Sequence, residues 1–120
     1  METLSIWLHA PPSLRSLEAA LSRVGPVERS TDETLVVHGN NGRAYLYLDP
    51  AAKGPGEFGL FIDYFDVELA KQILYEIADD PEVTIDNDFG TVLPGDQFIA
   101  RCRSTKNWDW KLRKLWTIGS

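Results

Sequence analysis

The stretch TLVVHGNNGRAYLYL, residues 34–48, decides the fold. Two runs rich in β-branched and aromatic residues, Thr34-Leu35-Val36-Val37 and Arg43-Ala44-Tyr45-Leu46-Tyr47-Leu48, flank Gly39-Asn40-Asn41-Gly42. Glycine and asparagine tolerate positive φ, so this quartet suits a tight connection and the spacing predicts a β-hairpin. Beyond the loop at 49–56, Phe58, Leu60, Ile62 and Tyr64 alternate with the residues between them, which predicts a third consecutive antiparallel strand.

Working outward, Leu4, Ile6 and Leu8 alternate with Ser5, Trp7 and His9 and predict a half-buried first strand ending near His9. Ser13 is placed to cap a helix in which Leu14, Leu17, Leu21 and Val24 form one apolar stripe before Gly25-Pro26 stops it. On the other side, Asp66 is placed to cap a helix with Val67, Ala70, Ile73, Leu74 and Ile77 on its inner face, ended by Asp79-Asp80-Pro81. Glu82-Val83-Thr84-Ile85-Asp86 predicts a short strand and Asn87-Asp88-Phe89-Gly90 a turn. Asp96 is expected to cap a third helix running to about Ser104, with Phe98, Ile99 and Cys102 inward. Residues 108–116 fit strand and helix spacing alike, with the balance toward a short helix or turn. The order β-α-β-β-β-α-β-α predicts one α+β domain over residues 1–120, an antiparallel sheet of about four to five strands with two or three helices packed on it.

The chain has 120 residues and a formal net charge of −6, and a domain of this length buries roughly two thirds of its unfolded surface without disulfides or a structural metal. One Cys and two His exclude a disulfide framework and leave too few soft ligands for a zinc ribbon or finger. The N-terminus lacks a basic region followed by an apolar stretch, and no run approaches the roughly 20 apolar residues that span a bilayer, so a cytoplasmic location is expected. The charge is uneven. Residues 1–100 carry six basic against 17 acidic side chains, −11, and residues 101–120 carry six basic ones against Asp109 alone, +5. Between residues 63 and 96, ten carboxylates face only Lys71. Such a surface disfavours nucleic acid and anionic membrane as partners and favours a cationic one.

Catalytic and ligand motifs are weak. Asp86-Asn87-Asp88 resembles the start of a carboxylate metal site, but Thr91 and Gln97 stand where a calcium loop needs glycine and an acid, and a structural turn explains the triplet. Asp88-Phe89-Gly90 lacks the companion motifs of a kinase. Cys102 falls on the inner face of a helix and reads as a core thiol rather than a nucleophile activated by His9 or His38. The glycine clusters at 39–42 and 54–56 precede strands, not helices, and so make no phosphate cradle. No cofactor, bound metal or enzymatic activity is expected. The aromatics are more telling. Tyr45 and Tyr47 lie opposite Ala44, Leu46 and Leu48, and Trp7 lies opposite Leu4, Ile6 and Leu8. If the aliphatic set packs inward, the outer sheet face shows Trp7, Tyr45, Tyr47 and Phe61, a platform suited to protein binding.

The segment IDNDFGTVLPGDQF, residues 85–98, followed by Trp108-Asp109-Trp110, resembles the C-terminal half of bacterial immunity proteins of polymorphic and contact-dependent growth inhibition toxin systems. The resemblance implies binding and blocking of a cognate toxin, expected to be a basic, nuclease-type domain, and carries over no active-site residues. Combined with the charge pattern, it makes Asp63, Glu76, Asp79, Asp80, Asp86, Asp88, Tyr45 and Tyr47 the candidate partner-binding residues. The alternatives are an adaptor or regulatory protein-binding domain unrelated to toxins, and a small metal-dependent hydrolase using Asp86 and Asp88.

Overall fold

The computed structural model describes residues 1–30, 33–49, 54, 56–105 and 108–110. In chain order these form β1 (Glu2–Leu8), α1 (Leu14–Leu21), β2 (Val27–Arg29), β3 (Leu35–Gly39), β4 (Gly42–Asp49), β5 (Phe58–Tyr64), α2 (Val67–Ile77), β6 (Thr84–Asp86), β7 (Val92–Pro94) and α3 (Gly95–Ser104). The described strands make one antiparallel sheet in the order β2-β3-β4-β5-β1-β6-β7. The three consecutive strands β3, β4 and β5 are its spine, joined at the hairpin by the Gly39–Gly42 pair. β1 inserts between β5 and β6, so the N-terminal strand is central.

Both helix starts follow their caps. The Ser13 hydroxyl accepts a bond from the Ser16 amide at 3.3 Å, and the Asp66 carboxylate accepts one from the Glu68 amide at 3.1 Å. Each satisfies an amide that the first helical turn leaves unpaired. α1 is shorter than its apolar stripe predicts: it stops at Leu21, and half-buried Val24 lies in the turn that follows.

The sheet has seven described strands, not four to five, because β2 and β7 were not foreseen. Each has three residues, too few for alternation to register, and each exists because a neighbouring edge offers it a ladder: Val27 pairs with Val37, and Leu93 with Ile85. The expected cap of α3 is also corrected. Pro94 occupies that position without a side-chain bond, and Asp96 sits inside the first turn, its carboxylate accepting from the Gln97 amide at 2.9 Å. The helix begins early because the Gly95 amide donates to the Val83 carbonyl at 2.8 Å in a space with no room for a side chain; a Cβ there would lie 2.1 Å from the Ala78 carbonyl oxygen.

Helices cover one face of the sheet. Leu4, Ile6, Leu35, Val37, Leu46, Leu60, Ile62 and Ile85 point to that side and pack with Leu17, Leu21, Ile73, Leu74, Phe98 and Cys102 in one core. Trp110 completes it: the ring is fully buried, its Nε1 donates to the Tyr64 hydroxyl at 2.6 Å, and it meets Tyr64 and Phe98 edge to face. The indole thus buries its apolar body while satisfying its one polar atom. The ambiguous segment expected at 108–116 is settled only in part, since residues 111–116 lie outside the described residues.

Candidate functional site

Strand side chains alternate between the two faces of a sheet, so the register fixes what stands opposite the core. Val36 pairs with Tyr45, Tyr45 with Asp63 and Asp63 with Thr3; one step along, Tyr47 pairs with Phe61, Phe61 with Ser5 and Ser5 with Asp86. Trp7, between Gly59 and Thr84, begins the next row. All of these side chains except Gly59 are half-buried rather than buried, because the described helices lie on the other side. The aliphatic set packs inward and the aromatic set outward, which settles the choice of face that the alternation left open.

The outer face is organised by ring contacts and by one carboxylate. Phe61 stands between Trp7, at 5.9 Å edge to face, and Tyr47, at 5.6 Å and tilted. Gly54 passes against the indole so closely that a Cβ would fall 2.5 Å from it, which holds Trp7 in place. Asp63 accepts a 2.6 Å bond from the Thr3 hydroxyl and a 3.3 Å bond from the Tyr47 hydroxyl, both on Oδ1. Burial pushes the Tyr47 phenol above its ordinary pKa, and the Asp63 charge adds to the shift, so the hydroxyl stays protonated and keeps donating. Beside these residues runs an open groove of about 730 Å³ lined by Ser30, Thr34, Val36, Tyr45, Tyr47, Leu48 and Asp63.

The candidate residues fall into two groups. Tyr45, Tyr47, Asp63 and Asp86 share the outer face. Asp88 is exposed in the β6–β7 turn, where its amide donates to Asp86 Oδ1 at 2.9 Å and its own φ is 63°. The intervening Asn87 is fully buried and ties the turn through its Oδ1, which accepts from the Phe89 and Thr91 amides. Glu76, Asp79 and Asp80 belong to the helix layer instead. Glu76 lies 3.4 Å from Arg23, Asp79 lies 3.8 Å from Arg103, and Asp80 accepts from the Glu82 amide just past α2. The acidic run between residues 63 and 96 is therefore divided between two sides of the molecule.

Thr3 was not foreseen as part of the site. It shares the Ser5 and Trp7 parity, which was visible, but its carboxylate partner is 60 residues away and becomes apparent only through the β1–β5 register. Ser30, just past the unforeseen strand β2, and Thr34 and Val36 of the expected hairpin run also line the groove.

Other chemistry is weakly provided for. Burial pushes the Cys102 thiol up to about 11, against the thiolate a nucleophile requires, and leaves it a core residue. His9 is exposed, and His38 Nε2 lies 3.1 Å from Glu28. Among the described residues no group of three or more His, Cys, Asp or Glu side chains is gathered to hold a metal ion, and no helix is long and apolar enough to cross a membrane.

No known family model, curated protein or solved structure matches the chain.

Proposed function

We propose that the chain is an immunity protein that binds and neutralises a cognate bacterial toxin, a cationic nuclease-type domain, acting by occlusion rather than by catalysis. The observation that carries this reading is the state of the carboxylates on the outer sheet face. Among the described residues, Asp63 and Asp86 bond hydroxyl and amide groups and form no ion pair with Lys or Arg. A basic partner would supply the missing countercharge. The Trp7–Phe61–Tyr47 ring cluster on the same face offers broad contact area of the kind that anchors interfaces.

Acidic character also suits the task kinetically. Complementary charge steers encounter and raises association rates from about 10⁵–10⁶ toward 10⁸–10⁹ M⁻¹s⁻¹ at low salt. Co-expression with the product of the adjacent upstream gene tests the reading. The expected result is a stable complex and protection of cells from that toxin; absence of both removes the proposal.

A further inference from the structure

We propose that the groove beside Asp63 is an arginine subsite, receiving a guanidinium of the basic partner that packs against the Tyr45 and Tyr47 rings and donates to Asp63 Oδ2. The choice of partner rests on the toxin-binding reading; the chemistry of the subsite rests on the groove itself.

Three features define that chemistry. First, Asp63 is oriented but incompletely used. Thr3 and Tyr47 both donate to Oδ1, which fixes the carboxylate plane and leaves Oδ2 unclaimed among the described residues. Second, negative charge adjoins the groove: after burial, the Asp63 carboxylate acts to raise the Tyr47 phenol that bonds it. Among the described residues Arg43, on the same face opposite His38, forms no ion pair with Asp63. Third, the lining joins aromatic and apolar surface to the carboxylate: Val36, Tyr45, Tyr47 and Leu48 make up most of the wall.

These features select among cations. A metal ion needs several converging acceptors, whereas Thr3 and Tyr47 present donors to the one carboxylate here. Lysine carries a compact, strongly hydrated ammonium that a half-buried, partly apolar groove would have to strip of water. A guanidinium is more weakly hydrated, stacks on aromatic rings and donates in a fixed plane to a carboxylate. A phosphate-bearing ligand would meet like charge.

Titration of the ¹⁵N-labelled protein with acetylated tetra-arginine and tetra-lysine peptides tests the subsite without the toxin. Tetra-arginine should shift the amides of residues 36, 45, 47 and 63 and bind roughly three- to fivefold more tightly than tetra-lysine, the margin expected of guanidinium–aromatic contact. Asp63→Asn, which keeps the shape of the side chain, should weaken tetra-arginine binding about tenfold through loss of a charge-assisted bond, while Asp79→Asn should leave it unchanged. Equal affinity for the two peptides, shifts centred on residues 76–80, or an Asp63→Asn protein that binds as before would each overturn the subsite. Toxin capture separates the two proposals. A toxin complex insensitive to Asp63→Asn removes the subsite alone, whereas arginine-selective binding without any toxin complex removes the toxin reading alone.

Discussion

The two faces of the sheet treat their carboxylates differently. On the helix side, Glu18 pairs with Arg29, Glu68 with Lys71, Glu76 with Arg23 and Asp79 with Arg103, so these four acids have a cation from the chain itself, while Asp66, Asp80 and Asp96 accept from backbone amides. On the outer side Asp63 and Asp86 are held by hydroxyl and amide donors. The difference teaches that net charge is a poor guide to a binding surface. Acids already matched by Lys or Arg contribute little external field, and the acids left unmatched contribute most of it. The aromatic supply divides the same way: Tyr64, Phe98 and Trp110 close the core, and Trp7, Tyr47 and Phe61 face outward.

The strongest way to break the helix side is to remove Trp110. Trp110→Ala leaves a cavity against Tyr64 and Phe98 and should cost about 3–5 kcal/mol in urea unfolding. A loss below about 1 kcal/mol would show that the ring is not integral to the core.

High pH attacks the same side. Burial raises the Cys102 thiol to about 11 and the Tyr64 phenol to about 12, the Trp110 hydrogen bond partly offsetting the latter. Between the unfolded and folded values the native state holds more protons, so stability falls as pH rises. The contribution of Cys102 is intact below about pH 9 and lost toward 11, and that of Tyr64 is intact below about 10 and lost toward 12. Melting temperatures that stay level from pH 8.5 to 11 would contradict this burial. The native thiol should likewise resist alkylation at pH 8 until the protein unfolds.

Charge reversal sharpens the contrast between the faces. With the toxin in hand, Asp63→Lys should slow association about tenfold at low salt and less at high salt, whereas Asp79→Lys should have a smaller effect. The opposite ranking in stopped-flow measurements would place the interface on the helix side. The smallest effect is expected of Arg23→Ala, which breaks an exposed pair with Glu76 and should change stability by less than about 1 kcal/mol.

Much of the fold was legible because its longer strands alternate and α1 and α2 carry side-chain caps. Leu4, Ile6 and Leu8 against Ser5, Trp7 and His9 announced β1, and Asp66 with Val67, Ala70, Ile73 and Leu74 announced α2. β2 and β7 were illegible for a physical reason: their three residues carry too little periodicity of their own and are held by the edge they join, whereas β6, equally short, sits within the Glu82–Asp86 run that the sequence marks, of which only Thr84–Asp86 pairs. At the site, Tyr45 and Tyr47 could be assigned a common face from parity alone. Their register with Asp63 needed the β4–β5 pairing, and their company with Thr3 and Asp86 needed β1 to enter between β5 and β6.

The amino-acid order by itself determined which residues share a face, because side-chain direction within a strand or helix is a local property repeating every two or 3.6 residues. It also determined the excess of acid over base. Only the tertiary structure decided which acids meet their countercharge, because an ion pair depends on separations of a few ångströms between segments far apart in the chain. Glu76 met Arg23 where α2 packs on α1, and Asp63 met Thr3 and Tyr47 across neighbouring strands.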